Sequence, residues 1–215
     1  MITWFIGVVS DYLWRKIINE KSWFFIGLIV LFGFIVALNS SIFADNPTGD
    51  TIVDAIEKTG RNVTKIVYLE EVKGGVVVFY KKSIGKGGES VASGYVKKTL
   101  WGWQWSFGGE HSDGVSKGFS AQYFPYTKGT PFPLLFGEIK DKQIKHIKVV
   151  EKNGTNVKEA KIVGEDTDLL WFTFLNKSEG PNFTITGTSG EGTTLYSQDI
   201  NTDGNSSAQT VPANT

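Results

Sequence analysis

The chain has 215 residues and no cysteine, and its 22 lysines and arginines balance 22 aspartates and glutamates to a formal net charge of zero. A nucleic-acid-binding protein normally carries a basic surplus, because phosphate neutralisation drives its affinity; none is present, which argues against that class. The lack of cysteine excludes disulfides, thiolate zinc sites, cysteine nucleophiles and thiol-linked lipid, and it suits bacterial export better than a eukaryotic secretory route.

Residues 1–21 predict a cytoplasmic amphipathic helix. Ile2, Ile6, Val9, Leu13 and Ile17 fall on one helical stripe, with Thr3, Gly7, Asp11, Arg15 and Asn19 on another. Trp4 and Trp14 suit the headgroup level of a membrane. The next stretch, Trp23 to Leu38, has no charged or strongly polar side chain, and continuation to Ala44 gives about 33 Å of helix, enough to cross a bilayer. We therefore assign 22–44 as one transmembrane helix. Arg15, Lys16 and Lys21 precede it, and Asp45, Asp50, Asp54 and Glu57 follow. The positive-inside rule then expects the N-terminus in the cytoplasm and the C-terminal domain outside the cell. The alternative is a signal peptide and a secreted product, although Ile42-Phe43-Ala44 is a poor small-residue cleavage site.

Residues 45–62 read as a linker and one short helix, with Thr51 and Asp54 at capping-box spacing and Gly60 as the stop. Such a helix would serve as a stalk or a cap. From Val63 the pattern turns to β. KIVYLEEV and VVVFYKK flank a compact turn at Lys73-Gly74-Gly75, and SVASGYVKKTLWGWQWSF holds one or two further strands. QIKHIKVVE and NVKEAKIVG flank Asn153-Gly154, and DLLWFTFLN, NFTITGTS and TTLYSQDI complete the series. About eight strands without alternating helices predict a mainly β fold, an antiparallel sandwich over 63–200. FSAQYFPYTKGTPFPLLFG, with its prolines, reads as a long aromatic connection, and 201–215 as a disordered tail.

Four constellations are candidates for function. Trp101, Trp103, Trp105 and Phe107 alternate, which on a strand makes one aromatic ladder. Exposed, the tryptophans would bind a glycan ring or a membrane surface together with Tyr123 and Tyr126 of the aromatic connection; buried, they would fill the core. The core reading is favoured, because a cysteine-free sandwich needs bulky core residues. Asp199, Asn201 and Asp203 match the first half of a calcium loop, but Thr210 stands where its closing glutamate belongs, so a polar tail is preferred and no cofactor is assigned. Glu110-His111-Ser112-Asp113 reads as an exposed loop. Ser83-Ile84-Gly85-Lys86 has Ser-x-x-Lys spacing but runs into glycines where that chemistry wants a helix.

The run from Gly137 to Tyr196, with GEIKDKQIKHIKVV, DLLWFTF and ITGTSGEGTTLY, resembles the C-terminal β-domain of membrane-anchored or secreted proteins of Gram-positive bacilli. The resemblance implies an Ig-like extracytoplasmic domain and brings no activity or catalytic residue with it. The expectation is a non-enzymatic, single-pass membrane protein whose outer β-sandwich binds or senses an envelope glycan or protein. The alternative is an immunity, exclusion or regulatory partner that acts on a neighbouring membrane protein through its span. An extracellular hydrolase is third, because no nucleophile, base and orienting group can be assembled.

Overall fold

A computed structural model describes residues 47–85, 88–110, 118–152, 156–180 and 182–201, together with Leu28, Val30 and Leu31. The chain divides into two units, Met1–Asn46 and Pro47–Thr215. In the first, Leu28, Val30 and Leu31 are helical and exposed. The amphipathic leader and the rest of the 22–44 segment lie outside the described residues, among which no helix is long and apolar enough to cross a membrane.

The second unit is mainly β, with thirteen strands in antiparallel sheets and one short helix among the described residues. The first sheet contains β1 (Thr48–Gly49), β2 (Lys65–Val72), β3 (Gly75–Ile84), β4 (Gly88–Thr99) and β5 (Gly102–Glu110), in the order β1-β5-β4-β3-β2. The second contains β6 (Gln122–Phe124), β7 (Leu134–Glu138), β10 (Lys161–Val163) and β11 (Leu170–Phe174), in the order β10-β11-β7-β6. The third contains β8 (His146–Glu151), β9 (Val157–Glu159), β12 (Asn182–Thr188) and β13 (Thr194–Asn201), in the order β13-β12-β8-β9.

Side-chain alternation on the second sheet explains how the sheets are held. Leu134, Phe136, Leu170 and Phe172 join Val77 and Phe79 of the first sheet in one hydrophobic cluster. Leu135 and Trp171, their neighbours on the opposite face, join Ile147, Val149, Phe183 and Ile185 of the third sheet in another. The second sheet is therefore buried on both faces, and its strands read as continuous apolar runs, LLF and LWF, where a half-buried strand would alternate. The Trp171 indole donates to the Ser120 carbonyl at 2.9 Å, which satisfies its one polar atom inside the cluster.

The expected short helix is present as α1 (Ile52–Glu57). Thr51 caps it, its hydroxyl accepting from the Asp54 N–H at 3.1 Å. Asp54 does not return the bond to Thr51; its carboxylate accepts from the Asp50 N–H at 2.9 Å. Ala55 and Ile56 are fully buried in a third cluster with Val76, Val78 and Tyr80, so α1 caps the outer face of the first sheet.

Three expectations need correction. Strands outnumber the expected eight, because β6 and β7 lie within FSAQYFPYTKGTPFPLLFG, β1 has only two residues, and NVKEAKIVG is broken at buried Ala160. On either side of that break β9 pairs with β8 in the third sheet and β10 with β11 in the second. The Pro-rich segment is accordingly not one long connection: it holds β6 and β7, and Phe124 and Phe132 are buried beside Phe136. Asp199 and Asn201 are strand residues, paired across from Thr184 and Asn182.

Candidate functional site

The aromatic ladder is split. β4 and β5 keep regular register from Thr99↔Gly102 to Val96↔Trp105, then shift so that Tyr95 faces Phe107. Ser106 is the extra residue, and a bulge of this kind inverts the face that later side chains take. Trp103 and Trp105 therefore lie on the α1 side, while Phe107 turns to the other face and meets Phe124 and Phe132 edge-on at 5.8 and 5.6 Å. Trp105 is 3% exposed. The Arg61 guanidinium lies 4.7 Å from its ring centroid, and its indole lies over Gly94, where any Cβ would overlap the ring.

Trp101 belongs to neither core. It occupies the β4–β5 turn with Leu100, and the two are 69% and 97% exposed. The turn is well braced. The Thr99 hydroxyl donates to the Gly102 carbonyl at 2.9 Å and accepts from the Trp101 N–H at 3.2 Å. Gly102, at φ +121°, lies so close to the Gly49 carbonyl that a side chain there would collide with it. Trp103, half-buried next to the tip, carries the Lys98 ammonium 5.6 Å above its ring. The Lys98 N–H donates to the Gly74 carbonyl at 2.9 Å, which brings the Lys73-Gly74 turn alongside. Lys73, Lys97 and Lys98 are all exposed, so one end of the first sheet presents two apolar side chains ringed by ammonium groups.

The tyrosines lie elsewhere. Tyr123 packs on Phe183 with centroids 5.9 Å apart, and burial raises its phenol above the usual range. Tyr126 is exposed under the Lys177 ammonium at 4.8 Å. The five candidate aromatics thus form no single surface. Of the calcium candidates, Asp199 accepts from the Thr184 hydroxyl at 2.7 Å and pairs with Lys152 at 2.8 Å, and these bonds hold its carboxyl below the usual range. Both of its oxygens are thereby engaged. Asn201 ends β13, and Asp203 lies outside the described residues. Among the described residues no three histidines or acids are grouped as metal ligands. Glu110 pairs with Lys82, whereas His111, Ser112 and Asp113 lie outside the described residues. Ser83 and Ile84 end a strand, not a helix, and Lys86 is likewise outside.

Sequence reasoning missed a charged cleft of about 320 Å³ lined by Lys65, Val67, Tyr68, Gly164, Glu165 and Asp168. Asp168 accepts from Lys65 at 2.5 Å and from Lys81 at 2.7 Å, and the two ammonium groups hold its carboxyl low. Beside it, Lys161 binds Glu70 at 2.8 Å and the Tyr68 hydroxyl at 2.7 Å. Each cation here already has an anion. The cleft reads as a tie between β2–β3 and the β10–β11 turn, since Asp168 joins Lys65 and Lys81 across it. Its charges are about a hundred residues apart in the chain, and no spacing rule joins them. No protein-family model, curated protein or solved structure matches the chain.

Proposed function

We propose that the chain is a single-pass membrane protein, anchored by residues 22–44 with its N-terminus in the cytoplasm. Its extracytoplasmic β-domain binds or senses a component of the cell envelope and performs no chemistry. The observation that carries this reading is the uncharged run from Trp23 to Ala44, with Arg15, Lys16 and Lys21 before it and Asp45, Asp50 and Asp54 after it. The second and third sheets, four strands each around a shared core, are read as the Ig-like sandwich that the resemblance of residues 137–196 implies. The exposed Leu100-Trp101 tip supports a binding role, since neither side chain contributes to a core.

Protease added to intact protoplasts tests this reading. A C-terminal tag should be removed while an N-terminal tag stays protected. A protected C-terminal tag would reverse the orientation and end the proposal, and recovery of the tagged domain from the culture medium would favour secretion after cleavage.

A further inference from the structure

We infer that the β4–β5 tip is a membrane-docking element: Leu100 and Trp101 enter the interfacial layer of a bilayer, and Lys73, Lys97 and Lys98 engage anionic lipid headgroups around them. The inference rests on the anchored reading above and names the surface that the domain meets.

Three observations carry it. First, the exposure of the tip is imposed by the fold. The Thr99 hydroxyl and the glycine at 102 fix the turn, so Leu100 and Trp101 cannot collapse onto the sheet. Second, Trp101 differs from the other described tryptophans, because Trp105 and Trp171 are buried and Trp103 is half-covered by Lys98. An indole next to an aliphatic side chain suits the headgroup boundary, where one end of the ring stays wet. Third, the surrounding lysines are uncommitted. Lys58, Lys65, Lys81, Lys82, Lys152, Lys158 and Lys161 form ion pairs among the described residues; Lys73, Lys97 and Lys98 form none there, and what sets them apart from the other unpaired lysines is that they meet at one end of the first sheet. Asp50 lies next to Gly102, and exposed Glu71 stands two residues before Lys73 on β2. A basic rim around an apolar tip complements an anionic lipid surface.

The absence of native cysteine allows a direct test on the full chain. Trp101→Cys is labelled with an environment-sensitive fluorophore and reconstituted into vesicles of phosphatidylcholine alone or mixed with phosphatidylglycerol. Glu191→Cys, on the β12–β13 turn, is the control. In the anionic vesicles the label at position 101 should brighten several-fold, shift to the blue and be quenched by nitroxide-bearing lipid, while the label at 191 stays unchanged. High salt, or Lys97→Glu with Lys98→Glu, should abolish the response. Equal behaviour at 101 and 191 overturns the proposal. An equal response in neutral and anionic vesicles overturns the part given to the lysines. A response to added cell-wall glycan but not to lipid replaces the bilayer with a sugar. Alkaline carbonate separates the two proposals: extraction of the chain into the soluble fraction defeats the anchor, and flotation of that soluble chain with anionic vesicles then tests the tip alone.

Discussion

Substitution of each tryptophan of the former ladder by alanine should give three different penalties. Trp105 is 3% exposed, and a buried tryptophan removes roughly 150–250 Å² from water, or about 4–6 kcal/mol at 25 cal/mol per Å². Core Trp→Ala changes cost about 3–5 kcal/mol in practice, a large share of the roughly 5–15 kcal/mol that keeps a domain folded. Half-covered Trp103 should cost about half as much, and exposed Trp101 less than about 0.5 kcal/mol. Gly94→Ala supplies an independent arm. Its new methyl would overlap the Trp105 ring, so it should destabilise the wild type by about 1–3 kcal/mol. In the Trp105→Ala background the same methyl fills part of the void and should be neutral or stabilising. Urea denaturation of the fragment 45–215, followed by far-UV circular dichroism, measures all five variants. Equal losses at 101 and 105, or a Gly94→Ala penalty that persists without the Trp105 ring, would refute the exposure assigned to Trp101 and the burial assigned to Trp105.

Two further outcomes follow from buried and paired polar groups. The Tyr80 hydroxyl is buried without a hydrogen-bond partner among the described residues, so Tyr80→Phe should raise stability by about 1 kcal/mol in urea melts. Burial also pushes the Tyr80 phenol up to about 12. The folded state therefore holds that proton more tightly than the unfolded chain: the contribution is complete below about pH 10 and is lost as pH climbs towards 12. Tyr80→Phe should lack this alkaline loss, and an unchanged alkaline limb would show that Tyr80 is not its source. Asp168 has the opposite sign. Its carboxyl is held low by Lys65 and Lys81, so its contribution is present above the ordinary carboxylate range, near pH 4, and is lost as pH falls through its folded value. Asp168→Asn should flatten the acid limb of stability against pH and cost about 1–3 kcal/mol at neutral pH, because largely buried Lys81 is left with only the Glu138 carboxylate at 4.0 Å. A variant with the wild-type acid profile would remove the cleft from the account.

Local rules carried much of this architecture. Lys73-Gly74-Gly75 announces the β2–β3 hairpin because a turn needs a left-handed residue, and Gly74 has φ +84°. Thr51 announces α1 because a helix start needs a side-chain acceptor. What escaped was decided between distant segments. The Ser106 bulge adds one residue to an otherwise regular alternation, and nothing in TLWGWQWSF marks it, since tryptophan and phenylalanine suit either face. Prolines hid β6 and β7. Phe132 and Pro133 stand just outside β7, where a missing N–H breaks no ladder, so the short apolar runs on either side still pair. Ala160 turns the chain from one sheet to another with a single small buried side chain. Of the candidate site the sequence showed the alternating tryptophans and favoured the core for all of them, and only the turn geometry shows that Trp101 faces water while Trp105 does not.

The stacking of the sheets bears on what remains to be explained by function. A chain without cysteine must draw its stability from packing, and here the middle sheet serves two cores at once, so that Leu134–Phe136 and Leu170–Phe172 each place alternate residues in different clusters. The outer face of the first sheet is closed by α1 and Trp105. All three clusters are complete without Leu100 or Trp101. Folding therefore demands nothing of those two positions beyond a turn, and turns favour glycine, asparagine and serine over leucine and tryptophan. Large apolar residues where the fold asks for small polar ones are a choice made against solubility. The lysines around them strengthen the point, because Lys73, Lys97 and Lys98 meet at this end of the first sheet and form no ion pair among the described residues. Side chains that stability does not use and water does not favour are retained for a surface outside the molecule, and a basic apolar tip fits an anionic bilayer.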